Sequence, residues 1–352
     1  MSIPTGQTAQ SGKRIEYIDA LRGFTMLLVV FHHVVTYCWR IGELHISVNE
    51  FLMQVRMPMF FFISGFVLYK SGVVWNGKQV LSFFRKKIPV QLLSPFLFFL
   101  VFIHVKDIPF VLAIGQRYKA GYWFTYVLME YYIIYAIVRF CIRGKWGDLA
   151  LFLVGSLLYA INWPPLYNAI PIVDPIKEVL SIPKWDYFFY FVLGTLARKN
   201  FSLVERVLNT PWFLTCCILF YFLVNVFRGI IPINYEITLR LLSLTGLVVL
   251  FSFFRNYQSA VSKERVLGRT LQYVGRRTLD VYLIHFFLLP DQLGFITVFA
   301  DHPMPVIEAT SSLILAIIIV AVCLLIGNII RLSPFLAHWM FGVKYPSKQS
   351  TT

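Results

Sequence analysis

The chain has 352 residues, of which 58% are hydrophobic, 17% aromatic and only 14% charged, with a mean hydropathy of +0.69. A soluble domain carries about 25% charged residues, so this composition excludes a water-soluble globule of ordinary surface. The formal charge of +15, from 32 Lys and Arg against 17 Asp and Glu, would suggest nucleic acid in a soluble protein; here the cations fall between apolar runs of about twenty residues, the length of a bilayer-crossing helix.

Hydropathy read against Pro, Gly and charge punctuation predicts helices over 17–39, 50–70, 88–106, 122–142, 147–163, 185–199, 211–228, 236–254, 274–293 and 309–331. The fold class is therefore all-α, a polytopic transmembrane helical bundle of about ten helices. Residues 1–16 are polar and contain no hydrophobic stretch, which predicts a disordered cytoplasmic tail and no cleavable signal peptide. Residues 17–341 form the transmembrane domain, and 342–352 a cytoplasmic C-terminal tail. The fifth and sixth helices are separated by a Pro-rich stretch from Trp163 to Lys184, expected to be a loop or a partly re-entrant segment. An even helix count puts both termini on one side. Of the 32 Lys and Arg, 22 fall on that side and eight opposite, which places both termini in the cytoplasm. The positive charge is then topological and no nucleic-acid partner is expected. Cys38, Cys141, Cys216, Cys217 and Cys323 lack metal-type spacing and read as packing residues.

Ionisable groups at bilayer depth are costly, and each deserves a functional hypothesis. In the first helix, Asp19-Ala20-Leu21-Arg22-Gly23 leads to His33, eleven residues beyond Arg22. Eleven steps of about 100° bring His33 to within about 20° of the Arg22 face, about 16.5 Å further along, while His32 lies about 100° away. One helix face thus offers a guanidinium that can hold an anion and an imidazole that can move a proton; a snorkelling Arg and a packed His are the bland alternative. The second helix carries Arg56, Pro58, Ser64 and Gly65, with Arg56 either snorkelling or lining a cavity, and Gly65 permitting close helix approach. Arg85-Lys86-Lys87 precede the third helix and suit either anionic lipid or the phosphates of a cytoplasmic donor; His104, at that helix's outer end, reads as interfacial. In the fourth helix Glu130 lies about 12 Å below the outer end, at a depth comparable with His33. It can orient the imidazole or be satisfied by the tyrosines around it. In the ninth, Asp280 lies near the cytoplasmic entrance and His285 within the membrane.

These segments, with Phe60-Phe61-Phe62-Ile63-Ser64-Gly65-Phe66, Trp123-Phe124, Tyr190-Phe191-Val192-Leu193-Gly194 and Thr278-Leu279-Asp280-Val281-Tyr282-Leu283-Ile284-His285, taken in order, resemble the family-three membrane acyltransferases, which include bacterial O-antigen and peptidoglycan O-acetylases. The resemblance implies that 17–341 is an acyltransferase domain in a bacterial cytoplasmic (inner) membrane. It implies transfer of an acyl group, acetyl by family frequency, from cytoplasmic acyl-CoA as co-substrate to a hydroxyl of a carbohydrate or envelope glycan. Mapped onto this chain, His33 matches the proposed catalytic histidine, Arg22 its motif partner, and Arg85, Lys86 and Lys87 the basic run that contacts CoA phosphates. Many relatives carry an extra periplasmic domain; with Thr352 soon after the tenth helix, transfer is expected to be completed within the membrane domain.

Acyl transfer from a thioester to an alcohol needs a base for the hydroxyl and a donor for the developing oxyanion. His33 is the expected base, with Glu130 or Asp19 as its orienter. Arg56, Tyr126 and Ser64 are expected oxyanion or acceptor contacts, Ser64 reading more as a packing residue than a nucleophile, and His285 joins the substrate-binding set. Arg22, with Arg85, Lys86 and Lys87, is expected to hold the donor's anionic end. No metal and no obligate protein partner is expected beyond membrane lipids and the glycan acceptor. The rival reading is a proton-coupled transporter or flippase of a lipid-linked or anionic sugar, with His33, Glu130 and His285 relaying protons, although no internal repeat of the transporter kind is visible.

Overall fold

A computed structural model of the protein describes residues 14–38, 47–227, 230, 234–290 and 305–343, and every regular element among them is helical. Most of both predicted tails, with Lys13, Lys344 and Lys348, and the loop cations Arg40 and Arg228 lie outside the described residues. The helices run α1 Glu16–His33, α2 Ser47–Leu68, α3 Gly77–Ile88, α4 Ser94–Val105, α5 Phe110–Gly115, α6 Trp123–Cys141, α7 Gly144–Ile161, α8 Pro164–Asn168 and α9 Asp174–Val179. They continue as α10 Phe188–Lys199, α11 Phe201–Leu208, α12 Phe213–Phe227, α13 Tyr235–Asn256, α14 Val266–Arg276, α15 Thr278–Leu288, α16 Pro305–Ile330 and α17 Pro334–Phe341.

Seven spans among the described residues are long and apolar enough to cross a membrane, or eight if the pair α11–α12, bent by 76°, is one broken span. The chain is a multi-pass membrane protein. Three of the ten expected spans do not meet that length and composition. The sixth is the 12-residue α10, about 18 Å long. The seventh bends ahead of Phe213, and the ninth is interrupted at Arg277, leaving the 11-residue α15. The third begins earlier than hydropathy suggests: α3, a π-helical turn Pro89–Leu93 and α4 make one 29-residue span, Gly77–Val105, so the basic run lies inside a helix. Pro89 cannot donate its backbone nitrogen, and the wider π turn absorbs that loss. The Pro-rich stretch folds as α8, α9 and a 3-10 turn, Ile182–Tyr187.

Glycines bring two helix pairs together. A Cβ at Gly23 would lie 2.0 Å from the Leu271 carbonyl oxygen, and one at Gly275 would lie 1.8 Å from that of Asp19, so α1 and α14 touch backbone to backbone. The same reciprocity joins α2 to α10, where a Cβ at Gly65 would lie 1.9 Å from the Phe191 oxygen and one at Gly194 2.0 Å from that of Phe62. In lipid, where apolar side chains gain little by meeting each other, such close approach is a main source of helix association. Phe61, Phe66, Tyr131 and Phe191 fill one core between α2, α6 and α10, and Val30, Phe98, Leu283 and Ile319 fill a second between α1, α4, α15 and α16.

Candidate active site

Between these cores lies a cavity of about 780 Å³. On α2 its lining runs from Met53 to Leu68, roughly 22 Å of helix, and on α6 from Trp123 to Arg139. Lys70, Lys86, Lys87 and Arg139 line one end, at the C-terminal ends of α2, α3 and α6. Arg22 and Thr278 follow, then His33, and the other end is lined by Tyr37, Arg56, Tyr118, Lys184 and Tyr187. Arg22 and His33 therefore face one cavity, as their eleven-residue spacing requires.

The partner of His33 is another imidazole. His33 Nδ1 lies 2.8 Å from His285 Nε2, and His285 Nδ1 lies 2.9 Å from the Val281 carbonyl oxygen. A carbonyl oxygen only accepts, so His285 Nδ1 carries the proton and its Nε2 is the acceptor in the neutral ring. His33 then donates from Nδ1 and keeps the lone pair on Nε2, with its ring on the cavity wall. His285 itself is fully buried. His32 is spent elsewhere: its Nδ1 lies 3.1 Å from Asn49 Oδ1 and its Nε2 3.4 Å from Thr36 Oγ1.

A second polar contact joins the same two helices, because Arg22 Nη2 donates to Thr278 Oγ1 at 3.3 Å. Thr278, Tyr282 and His285 share a face of α15 at spacings of four and three residues. The start of α15 is clamped from the residue that follows α16: Arg331 donates to Asp280 Oδ1 at 2.6 Å and to Oδ2 at 3.0 Å, and Arg277 donates to Oδ2 at 2.8 Å. Asp280 is buried, and a two-pronged guanidinium contact fixes both position and orientation. At the basic end Lys87 donates to the Tyr132 hydroxyl at 3.4 Å and lies 4.8 Å over its ring.

Several expected site residues are not brought together. Glu130 accepts a hydrogen bond from Trp185 Nε1 at 3.0 Å and is absent from the cavity wall. The cavity face of α6 is Thr125, Leu128, Tyr132 and Tyr135; Glu130 is two residues from Leu128 and from Tyr132, about 200° round the helix from each. The structure gives the orienting contact to His285 in place of Glu130 or Asp19. Tyr126, four residues before Glu130, shares its face and also lies off the cavity, beneath the Lys119 ammonium at 5.0 Å. Ser64 lines the cavity, but its hydroxyl donates to the Phe60 oxygen at 2.8 Å. Arg85 is exposed and off the wall, whereas Lys86 and Lys87 are on it. His104 is exposed at the end of α4.

Sequence reasoning missed Thr278, Tyr132, Arg139 and Lys184. Thr278 carried a signal, the seven-residue spacing to His285 that puts both on one helix face. Lys184 carried none, since it arrives from the Pro-rich stretch. Its ammonium lies 4.5 Å over the Tyr118 ring and 4.8 Å over Trp123, and burial lowers its pKa to about 8. Burial likewise raises the neighbouring Asp186 to about 6. Among the described residues no group of three His, Cys, Asp or Glu is placed to hold a metal ion.

The acyltransferase domain family model matches residues 15–328, most of the chain. The chain belongs to this family. One curated relative, a serine/alanine racemase of Enterococcus gallinarum, is 25% identical over 206 residues, which cover 52% of this chain and 29% of that protein. The chain thus spans less than a third of that relative's length, and the relative's activity does not carry over. No solved structure matches the chain.

Proposed function

We propose that the protein moves an acyl group from cytoplasmic acyl-CoA to a hydroxyl of a carbohydrate or envelope glycan in the bacterial inner membrane. The observation that carries this reading is a single cavity whose wall runs from four cations, past Arg22, to an imidazole with a defined lone pair. The donor's phosphates are held by Lys70, Lys86 and Lys87 as point charges, and by the part of the Arg139 guanidinium not taken by its bond to Asp148 Oδ1 at 3.0 Å. The pantetheine arm lies along the Arg22–His33 face, whose rise of about 16.5 Å suits an extended chain of that kind.

In the reaction His33 Nε2 takes the proton of the acceptor hydroxyl as its oxygen forms the new C–O bond at the thioester carbonyl. The C–S bond then breaks and the CoA sulfur leaves with the proton returned from the imidazolium. The products are the ester and free thiol, and the enzyme ends as it began. His285 accepts from Nδ1–H throughout, which fixes the tautomer and steadies the transient imidazolium, the role carboxylates have in other histidine dyads.

The test is CoA release from acetyl-CoA and succinyl-CoA by the purified protein in detergent, beside His33→Ala. Saturable donor binding in both proteins, with release lost in the variant, is the expected outcome. Absent donor binding in a folded, monodisperse sample would overturn the donor assignment, and preserved release in the variant would overturn His33 as base.

A further inference from the structure

The end of the cavity beyond His33 carries its own positive charge. Arg56 and Lys184 both line it, from α2 and from the 3-10 turn before α10. They lie within electrostatic reach of each other, and Arg56 within reach of His33 and His32. Among the described residues neither side chain is paired with a carboxylate. The electrostatic neighbours of Arg56 are the hydroxyls of Tyr187, Tyr118 and Tyr37, and Lys184 rests on the Tyr118 and Trp123 rings. Of the nearby acids, Glu178 is bonded to Arg117 at 3.1 Å and 3.2 Å, and Asp186 is within electrostatic reach of Lys184 but not on the cavity wall.

Two half-buried cations, Arg56 with tyrosines around it and Lys184 with the Asp186 carboxylate off the cavity wall, put more positive charge on the cavity than the acids facing it offset, which is costly unless something anionic completes them. The four cations proposed to hold CoA lie at the opposite end, so that donor's phosphates do not account for these two. Snorkelling alone does not account for them either, because both line the cavity.

We infer that Arg56 and Lys184 form an anion subsite beside His33, which holds a carboxylate or phosphate carried by one of the two reactants next to the reacting groups. The inference rests on the acyltransferase reading above and narrows its substrate class. The anion sits either on the acceptor, making it an acidic sugar or a glycosyl phosphate, or at the far end of a dicarboxylic acyl chain such as succinyl. The guanidinium takes the two oxygens in a fork and the ammonium adds a third contact, while the tyrosine hydroxyls supply further donors.

The test uses the full chain in detergent, with Arg56→Gln, Lys184→Gln and the conservative Arg56→Lys. Binding of methyl glucuronide and glucose 1-phosphate is compared with that of methyl glucoside by thermal shift, while acetyl-CoA binding and CoA release from acetyl-CoA and succinyl-CoA are measured in parallel. The expected result is that the two anionic sugars, or succinyl-CoA, are preferred over the neutral counterpart. That preference should fall about tenfold in each Gln variant, in the range of one lost charge-assisted contact, and be partly restored by Arg56→Lys, with acetyl-CoA binding unchanged. Loss confined to the sugars puts the anion on the acceptor; loss confined to succinyl-CoA puts it on the acyl chain. Equal binding of charged and neutral probes overturns the inference. So does a uniform loss with both donors, which would assign Arg56 to the oxyanion of the tetrahedral intermediate. Failure of acetyl-CoA to bind wild-type protein would instead strike the donor reading and leave the sugar result to stand alone.

Discussion

His33 and Glu130 make an instructive pair. Both are ionisable, both sit on spanning helices, and counted by helix rise they lie at comparable depth. His33 opens on the cavity and bonds to His285, whereas Glu130 faces the Trp185 indole and meets no part of the cavity wall. Depth in a bilayer makes a polar side chain costly; the angle round the helix decides whether that cost is met by a neighbouring side chain or by a reacting group. The carboxylate accepts from one indole N–H and lies within electrostatic reach of the Lys119 ammonium. The imidazole has one nitrogen satisfied and one presented to the cavity.

The widest separation between the two should come from His33→Ala. Removing a general base costs typically 10²–10⁴-fold, so CoA release should fall by about 10³-fold while the variant stays folded and binds donor. A loss of less than about tenfold would place the proton transfer elsewhere. His285→Gln comes next. An amide can still meet His33 Nδ1–H but no longer has the buried ring that the Val281 carbonyl holds in place, and groups that orient a working histidine contribute about 10–100-fold. The loss should appear in turnover with little change in donor affinity, and the pH profile of turnover should shift, because the acceptor for the imidazolium has changed. A purely structural role would instead lower thermal stability and leave the profile of the folded fraction in place.

A smaller effect sharpens the comparison from the far end of the cavity. Burial holds Lys184 at about 8, so its cation is present below that pH and lost above it. The groups around it are Asp186, Arg117, Glu178 and Arg56, with Tyr118 and Trp123 against the ammonium. The preference for an anionic reactant should therefore weaken by about tenfold by pH 9, one unit above the midpoint. Lys184→Arg, which stays charged there, should keep it. A preference flat from pH 7 to 9 in wild type would remove Lys184 from the subsite.

Much of this was legible in the chain, and the illegible parts have physical reasons. The face shared by Arg22 and His33 follows from an eleven-residue spacing, and the close approach at Gly65 from the residue's size. The partner of His33 did not follow, since a second histidine on a distant helix is brought alongside by the Gly23–Gly275 crossing and the Asp280–Arg331 clamp, neither of which hydropathy registers. The short α15 was hidden for a different reason: Gly275-Arg276-Arg277 reads as the start of the ninth helix, whereas the chain breaks at Arg277 and α15 begins only at Thr278. The placement of Glu130 could have been corrected from sequence, because Leu128, Tyr132 and Tyr135 form one stripe of α6 and Glu130 lies off it. Comparing depth without comparing angle produced the expectation that Glu130 orients His33.

The smallest effect belongs to Glu130 itself. Glu130→Gln keeps an oxygen that can accept from Trp185 Nε1, so both stability and CoA release should stay within about threefold of wild type. Glu130→Ala leaves that indole N–H buried without its acceptor, a loss of about 1–3 kcal/mol of stability, visible as a lowered Tm while turnover per folded molecule holds. The pairing of results matters more than either one. If Glu130→Gln abolished turnover while its melting curve stayed put, the carboxylate's charge would be acting across the helix on the cavity, and the angular argument that separates it from His33 would fail.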